Sequence, residues 1–162
     1  MGRREARPRA ERERPLRPLR RSCPGCGRRM AIRYENRRTV ATLAGLVRLR
    51  LKVCRCEHAG CIHYHRPYRP EAEGALVLPQ HEFGLDVIAL VGALRYREHR
   101  SVPEIHRALL ERKVAVCERT VTNLLDRYDE LVATAVDEPR RAALRLQRRV
   151  VLALDGLQPD VG

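Results

Sequence analysis

The clearest pattern in the chain is VRLRLKV at residues 47–53. Val47, Leu49, Leu51 and Val53 alternate with Arg48, Arg50 and Lys52. A period of two over seven residues predicts a half-buried strand with an apolar face and a basic face. Further on the period changes. Val87, Ile88, Val91 and Leu94 fall at helical spacing within residues 83–98, and Arg100-Ser101 interrupts it. Ser101, Val102, Pro103 and Glu104 then read as a helix start: a hydroxyl cap, proline in the first turn, and glutamate at the capping-box position. That second helix is short and buries Ile105, Ala108 and Leu109. Residues 113–116 make the turn, and a third helix begins near Glu118. Its apolar stripe is Val121, Leu124, Leu125, Tyr128, Leu131 and Val132. Residues 137–149 predict a further short Arg-rich helix, and residues 150–155 an apolar strand ending in Asp155.

Charge divides this layout. The chain has 162 residues and a formal net charge of +13. Nine Arg and three Glu lie in residues 1–22, and eleven Lys or Arg with two Glu in residues 23–70. A positive field so concentrated favours polyanions, because phosphate contacts release counterions. Residues 1–22 are rich in Arg and Pro and poor in apolar groups, so they read as a disordered basic arm. No run of about 18 apolar residues predicts a membrane span. The first residues lack the apolar core of a secretory signal. The expected compartment is the cytoplasm, on a bacterial nucleoid, with no small-molecule substrate.

Five of the six cysteines fall in residues 23–70. CPGCG at 23–27 is a tight knuckle in which Cys23 and Cys26 can reach one Zn²⁺. A second pair is expected in CRCEHAGC, residues 54–61. Cys56 and Cys61 are the preferred pair. Cys54 lies on the same strand face as Cys56 and is an alternate, as is His58; His63 and His65 are near. Four protein ligands would make the zinc structural. Lone Cys117 reads as a cap or half-buried thiol, and His81, His99 and His106 as surface or cap residues.

These readings give a domain order. A disordered basic arm (1–22) is followed by a zinc ribbon (23–70), a linker (71–80), a helix-turn-helix domain (81–136), and a short helix with a first strand (137–162). The expected fold is a small β zinc ribbon and then an all-α helix-turn-helix domain. In a helix-turn-helix the start of the last helix enters the major groove. Arg119, Thr120, Thr122, Asn123 and Arg127 are the candidate readers of double-stranded DNA, and Arg48, Arg50 and Lys52 the candidate phosphate contacts.

The order CPGCG…CRCEHAGC, SVPEIHRALLERKVAVCERTVTNLL, VVLALDG resembles the N-terminal half of a bacterial zinc-ribbon insertion-sequence transposase of the DDE type. The resemblance covers residues 23–162. It implies that the ribbon and helices bind the terminal inverted repeats of an element, with the chain itself or full-length transposase as a further partner. It also implies that residues 137–162 begin a truncated RNase-H-like α/β domain. In such a domain three carboxylates hold two Mg²⁺ ions for strand cleavage and transfer. Only Asp155 matches one of them, and Asp160 reads as a turn residue. Mg²⁺ is therefore expected only if the catalytic domain were complete. The expected function is DNA binding by a transposase fragment without a complete catalytic site. The alternatives are a free-standing transcriptional regulator of the same architecture and a zinc-stabilised protein-interaction module.

Overall fold

The structure, a computed structural model, describes residues 10–146, with side chains omitted at 136–141 and 144–146. The chain divides into two compact units, Met1–Tyr128 and Asp129–Gly162.

In the first unit a long hairpin forms the sheet. β2 (Ala31–Thr42) pairs antiparallel with β3 (Gly45–Arg55), with Val40 opposite Val47 and Glu35 opposite Lys52. A register shift lies between Ile32 and Tyr34. The hairpin turns through Leu43-Ala44 into Gly45, whose φ of 103° favours glycine. A Cβ at Gly45 would also collide with the Glu11 carboxylate. β3 shows the alternation read in the sequence: Leu49, Leu51 and Val53 are buried, Val47 is half-buried, and Arg48, Arg50 and Lys52 are partly exposed.

Two elements extend the sheet on β3. β1 (Arg12–Leu16) pairs with it in parallel, from Arg12 opposite Val47 to Leu16 opposite Leu51. β4 (Pro67–Tyr68) pairs antiparallel near Cys54. Much of the segment 10–22 is thus built into the sheet, whereas its composition reads as a disordered arm. What composition hides is the backbone ladder. β1 contributes one buried side chain, Leu16, and satisfies its peptide groups on β3. The arm is also fastened by Glu71, whose carboxylate accepts the amides of Leu19 (2.8 Å) and Arg20 (3.2 Å) and the Tyr68 hydroxyl (2.7 Å).

The expected linker is likewise structural. Glu71–Glu73 form a 3-10 turn, and Val77 packs with Leu16, Val40, Leu49 and Leu51 in the core of the sheet. Buried Glu73 accepts two hydrogen bonds of 2.7 Å from Arg69 and one of 3.0 Å from Arg38. Burial disfavours its ionised form, but the two guanidinium groups outweigh this and hold its pKa below the usual range. Arg38 also donates to the carbonyls of Leu78 and His81. Backbone bonds from Ala41 to Glu82 and from Gly84 to Ala41 join the hairpin to the helical segment. Ribbon and helices therefore belong to one unit up to Tyr128, where the sequence suggests two domains joined by a spacer.

Three helices follow: α1 (Leu85–Tyr96), α2 (Val102–Glu111) and α3 (Glu118–Leu146). Val87, Ile88, Val91, Leu94, Ile105, Ala108, Leu109, Val114, Val121 and Leu124 are buried among them. At the start of α2 the Glu104 carboxylate accepts from the Ser101 amide (2.7 Å) and hydroxyl (2.6 Å). Its end is a Schellman motif: Val114 N–H bonds Leu109 C=O, Lys113 N–H bonds Leu110 C=O, and Lys113 has φ 60°. His106 Nε2 lies 3.0 Å from the Val116 carbonyl and braces the same turn. Close approach of α1 to α3 is made at Gly92, against which the Tyr128 ring packs, with Tyr96 stacked on that ring at 5.7 Å. α3 runs without a break through Pro139 to Leu146, so the helix expected at 137–149 is its continuation. The strand expected at 150–155, with Asp155 and Asp160, lies outside the described residues.

Candidate metal centre and basic surfaces

Two backbone knuckles present the sulfurs. In the first, Gly27 N–H bonds Cys23 C=O (2.9 Å) and Gly27 takes φ 70°. Gly25 is glycine for a second reason: a Cβ there would press on His63 and on Cys61 Sγ. In the second, Cys61 N–H bonds His58 C=O and His65 N–H bonds Cys56 C=O, both at 2.9 Å. The His63 amide donates to Cys61 Sγ at 3.3 Å. β3 delivers Cys56 beside the first knuckle.

The result is a cluster of Cys23, Cys26, Cys56 and Cys61 whose sulfurs all lie within 4.8 Å of one another. Cys23–Cys61 and Cys26–Cys56 are each 3.6 Å apart. That is too long for a disulfide, at about 2.05 Å. It is close to the edge of about 3.8 Å for a sulfur tetrahedron around zinc with bonds of about 2.3 Å. The site can therefore hold a zinc ion with a closed shell of four sulfurs and no open position for water. These are the preferred four of the sequence reading. Cys54 is buried nearby with Met30 and Tyr68 but outside the group, and burial pushes its thiol up. His58 is also outside it, its Nδ1 buried without a hydrogen-bond partner.

The thiols are electrostatically frustrated without a cation. Burial raises the Cys23 pKa, but amides of Cys26 and Gly25 aimed at its sulfur bring it down to about 6. At Cys56 the His58 amide lowers the pKa, but burial and the neighbouring thiols push it up to about 12. At Cys61 the His63 amide and the Cys56 thiol lower the pKa, but burial and the Cys23 and Cys26 thiols outweigh them and raise it. One thiolate forms readily and its neighbours then resist ionisation, which a divalent ion among them would relieve.

The basic face of β3 is less available than its sequence suggests. Glu35 receives Arg50 Nε and Nη2 (3.0 and 3.1 Å), Lys52 Nζ (2.6 Å) and Arg37 Nε (2.7 Å). Hydrogen bonds from Arg50, Lys52 and Arg37 hold its carboxyl far below the usual range. Glu13 lies 3.7 Å from both Arg48 and Arg50. Arg48, Arg50 and Lys52 are thus partly neutralised, by Glu35 across the hairpin and Glu13 from β1. The first partner follows from the hairpin register; the second needs β1, which carries no strand signal. By contrast Arg28, Arg29 and Arg66, beside the two knuckles, are exposed and outside this network.

On α3, Arg119, Thr122, Asn123 and Arg127 are exposed while Val121 and Leu124 are buried. Thr120 is half-buried, with its hydroxyl 3.2 Å from Cys117 Sγ. Thr122 donates to Glu118 C=O at 3.3 Å. Cys117 is exposed and caps the helix through its carbonyl, which accepts Val121 N–H. Its thiol pKa is lowered by the Thr120 hydroxyl and by the Thr120 and Arg119 amides. Among the described residues no helix is long and apolar enough to cross a membrane. Compared with protein-family models, with curated proteins and with solved structures, the chain gives no match.

Proposed function

We propose that the chain is a zinc-stabilised module that binds double-stranded DNA, with the role that its resemblance to DDE transposases implies: recognition of the ends of a mobile element. The observation that carries this is the start of α3. A tight Schellman turn leads into a helix whose buried row, Val121 and Leu124, faces the other helices. Its opposite face shows Arg119, Thr122, Asn123 and Arg127 to solvent. Arg and Asn are the side chains that read guanine and adenine edges bidentately. Zinc on Cys23, Cys26, Cys56 and Cys61 would hold the ribbon, and Arg28, Arg29 and Arg66 beside it would meet phosphates. Asp155 would be the first of the three carboxylates of the family's cleavage site, whose chemistry is separate from the recognition proposed here.

The test is selection of bound duplexes from a random pool with zinc-loaded protein, followed by titration of the winner and a scrambled duplex at matched salt. Arg119→Ala and Asn123→Ala should each cost about 1–3 kcal/mol on the selected site only. Replacing Arg28, Arg29 and Arg66 with Ala should weaken both duplexes alike and flatten the salt dependence by about 0.9 per lost phosphate contact. No enrichment, with equal affinity for every duplex, would reject sequence recognition and favour the protein-interaction alternative.

A further inference from the structure

The two cysteine knuckles present rings and aliphatic surface beside their arginines, and contact with duplex phosphates leaves that surface unused. In the second knuckle Ile62 keeps 80% of its surface and Tyr64 43%. The Tyr64 ring is stacked on the His65 ring, with centroids 3.9 Å apart and planes at 19°. His65 takes φ 57°, a region that residues other than glycine rarely enter, and its amide donates to Cys56 C=O at 2.9 Å. The ring pair is thus carried on backbone tied to one of the cysteines. Ile62 reaches the first knuckle, where its Cγ1 lies 3.3 Å from the position a Cβ on Gly25 would take. Exposed Arg28 and Arg29 follow that knuckle, and exposed Arg66 follows the ring pair. Of the two acids in residues 23–70, Glu35 is held in the hairpin network and Glu57 pairs with Arg33. Neither is paired with these three arginines.

We infer that the knuckles form a surface for single-stranded DNA, with a base laid on the Tyr64–His65 stack and phosphates held by Arg28, Arg29 and Arg66. The base faces of a duplex are stacked on one another, so a duplex offers a ring only phosphates and groove edges. An unpaired strand offers base faces and phosphates together, and a stacking platform beside cations is the combination that binds it. An acidic peptide would satisfy the arginines but has no flat face for the rings. Ile62 has no group to bond a 2′-hydroxyl, which favours deoxyribose over ribose. The inference shares the three arginines with the duplex reading but makes no use of α3, so either can fail alone.

Fluorescence anisotropy with the zinc-loaded full chain and a labelled oligothymidylate of about 12 nucleotides tests it. The comparison strand is an abasic oligonucleotide of the same length and charge. At matched salt the oligothymidylate should bind at least about fivefold more tightly, the low end for one stacked base. Tyr64→Ala should remove that preference with zinc content and duplex affinity unchanged, and Tyr64→Phe should retain it. Ile62→Ser, on solvated surface, should reduce the preference as well. Replacing Arg28, Arg29 and Arg66 with Ala should weaken both strands alike. Equal affinity for the two strands, Tyr64→Ala and Ile62→Ser proteins that both keep the preference, or tighter binding of an oligouridylate of the same length would each overturn the inference.

Discussion

Gly92→Ala separates two opposing effects by sign. Gly92 lies in the middle of α1, where glycine is poorer than alanine by about 1 kcal/mol. On an open helix face the substitution would therefore stabilise. Here three carbons of the Tyr128 ring sit well inside van der Waals contact of where the new Cβ would be placed. The ring would have to retreat by about 1.5 Å to restore ordinary separation, and it is stacked on Tyr96. Overpacking of this kind costs about 1–3 kcal/mol, and the depth of the overlap points to the upper half of that range. Subtracting the propensity gain leaves a net loss of about 1–2 kcal/mol, or a melting temperature lower by about 3–8 °C. Thermal unfolding followed by circular dichroism reads it directly. Tyr128→Leu in the Gly92→Ala background should recover part of the loss. A Gly92→Ala protein as stable as the parent, or more so, would show that α1 and α3 do not cross here. The arrangement that exposes Arg119 and Asn123 would then be wrong as well.

The remaining predictions concern the turn, the arm and the metal. Lys113→Gly should stabilise the first unit by about 0.5–1 kcal/mol, since glycine carries no Cβ penalty at a left-handed C′ position; thermal melts showing a loss would mean that Lys113 is not left-handed. Burial opposes ionisation of Glu71, but the Tyr68 hydroxyl and the amides of Leu19 and Arg20 lower its pKa to about 2, against an ordinary 4.5. The stability it lends is therefore complete above about pH 4.5 and is lost as pH falls towards 2. Glu71→Ala should speed tryptic cleavage after Arg20 and Arg21 at neutral pH with the metal retained, and an unchanged cleavage rate would remove Glu71 as the anchor. Cys56→Ser should abolish tight binding of one equivalent of zinc measured by elemental analysis, while Cys54→Ala should keep it; the opposite outcome would move the ligand set to Cys54.

Local signals survive into the structure and long-range ones do not. The alternation at 47–53 encodes a strand because each side chain's face is fixed by parity alone. The capping residues Ser101 and Glu104 encode the start of α2 because they satisfy backbone groups within one turn. The paired cysteines are legible because a knuckle needs only a few residues and a glycine. Cys54 and Cys56 share a strand parity, so their choice depends on where the first knuckle sits in space, which only the fold supplies. β1 escaped because its ladder uses peptide groups, which are the same in every sequence, and buries a single leucine. Val77 escaped because the apolar run Ala75–Leu78 between Gly74 and Pro79 is too short to show either a strand or a helix period. The continuity of α3 was missed because residues 137–149, rich in Arg, read as a separate short helix.

Charge shows why composition alone misplaces a binding surface. Arg33, Arg37, Arg38, Arg48, Arg50, Lys52 and Arg69 all have carboxylate partners within the fold. These are seven of the eleven bases of residues 23–70. Arg55 is largely taken up by the Tyr34 ring, 5.1 Å from its guanidinium carbon. A base already paired gives a smaller net gain when it meets a phosphate, because the carboxylate must be released or left beside the phosphate. Within residues 23–70 the exposed bases outside such pairs are Arg28, Arg29 and Arg66 at the cysteine knuckles, and none lies on the strand where the alternation is most regular. The stretch that reads most plainly as a basic surface thus serves chiefly to lock three strands together. The end that holds the metal is the stronger candidate for meeting phosphate.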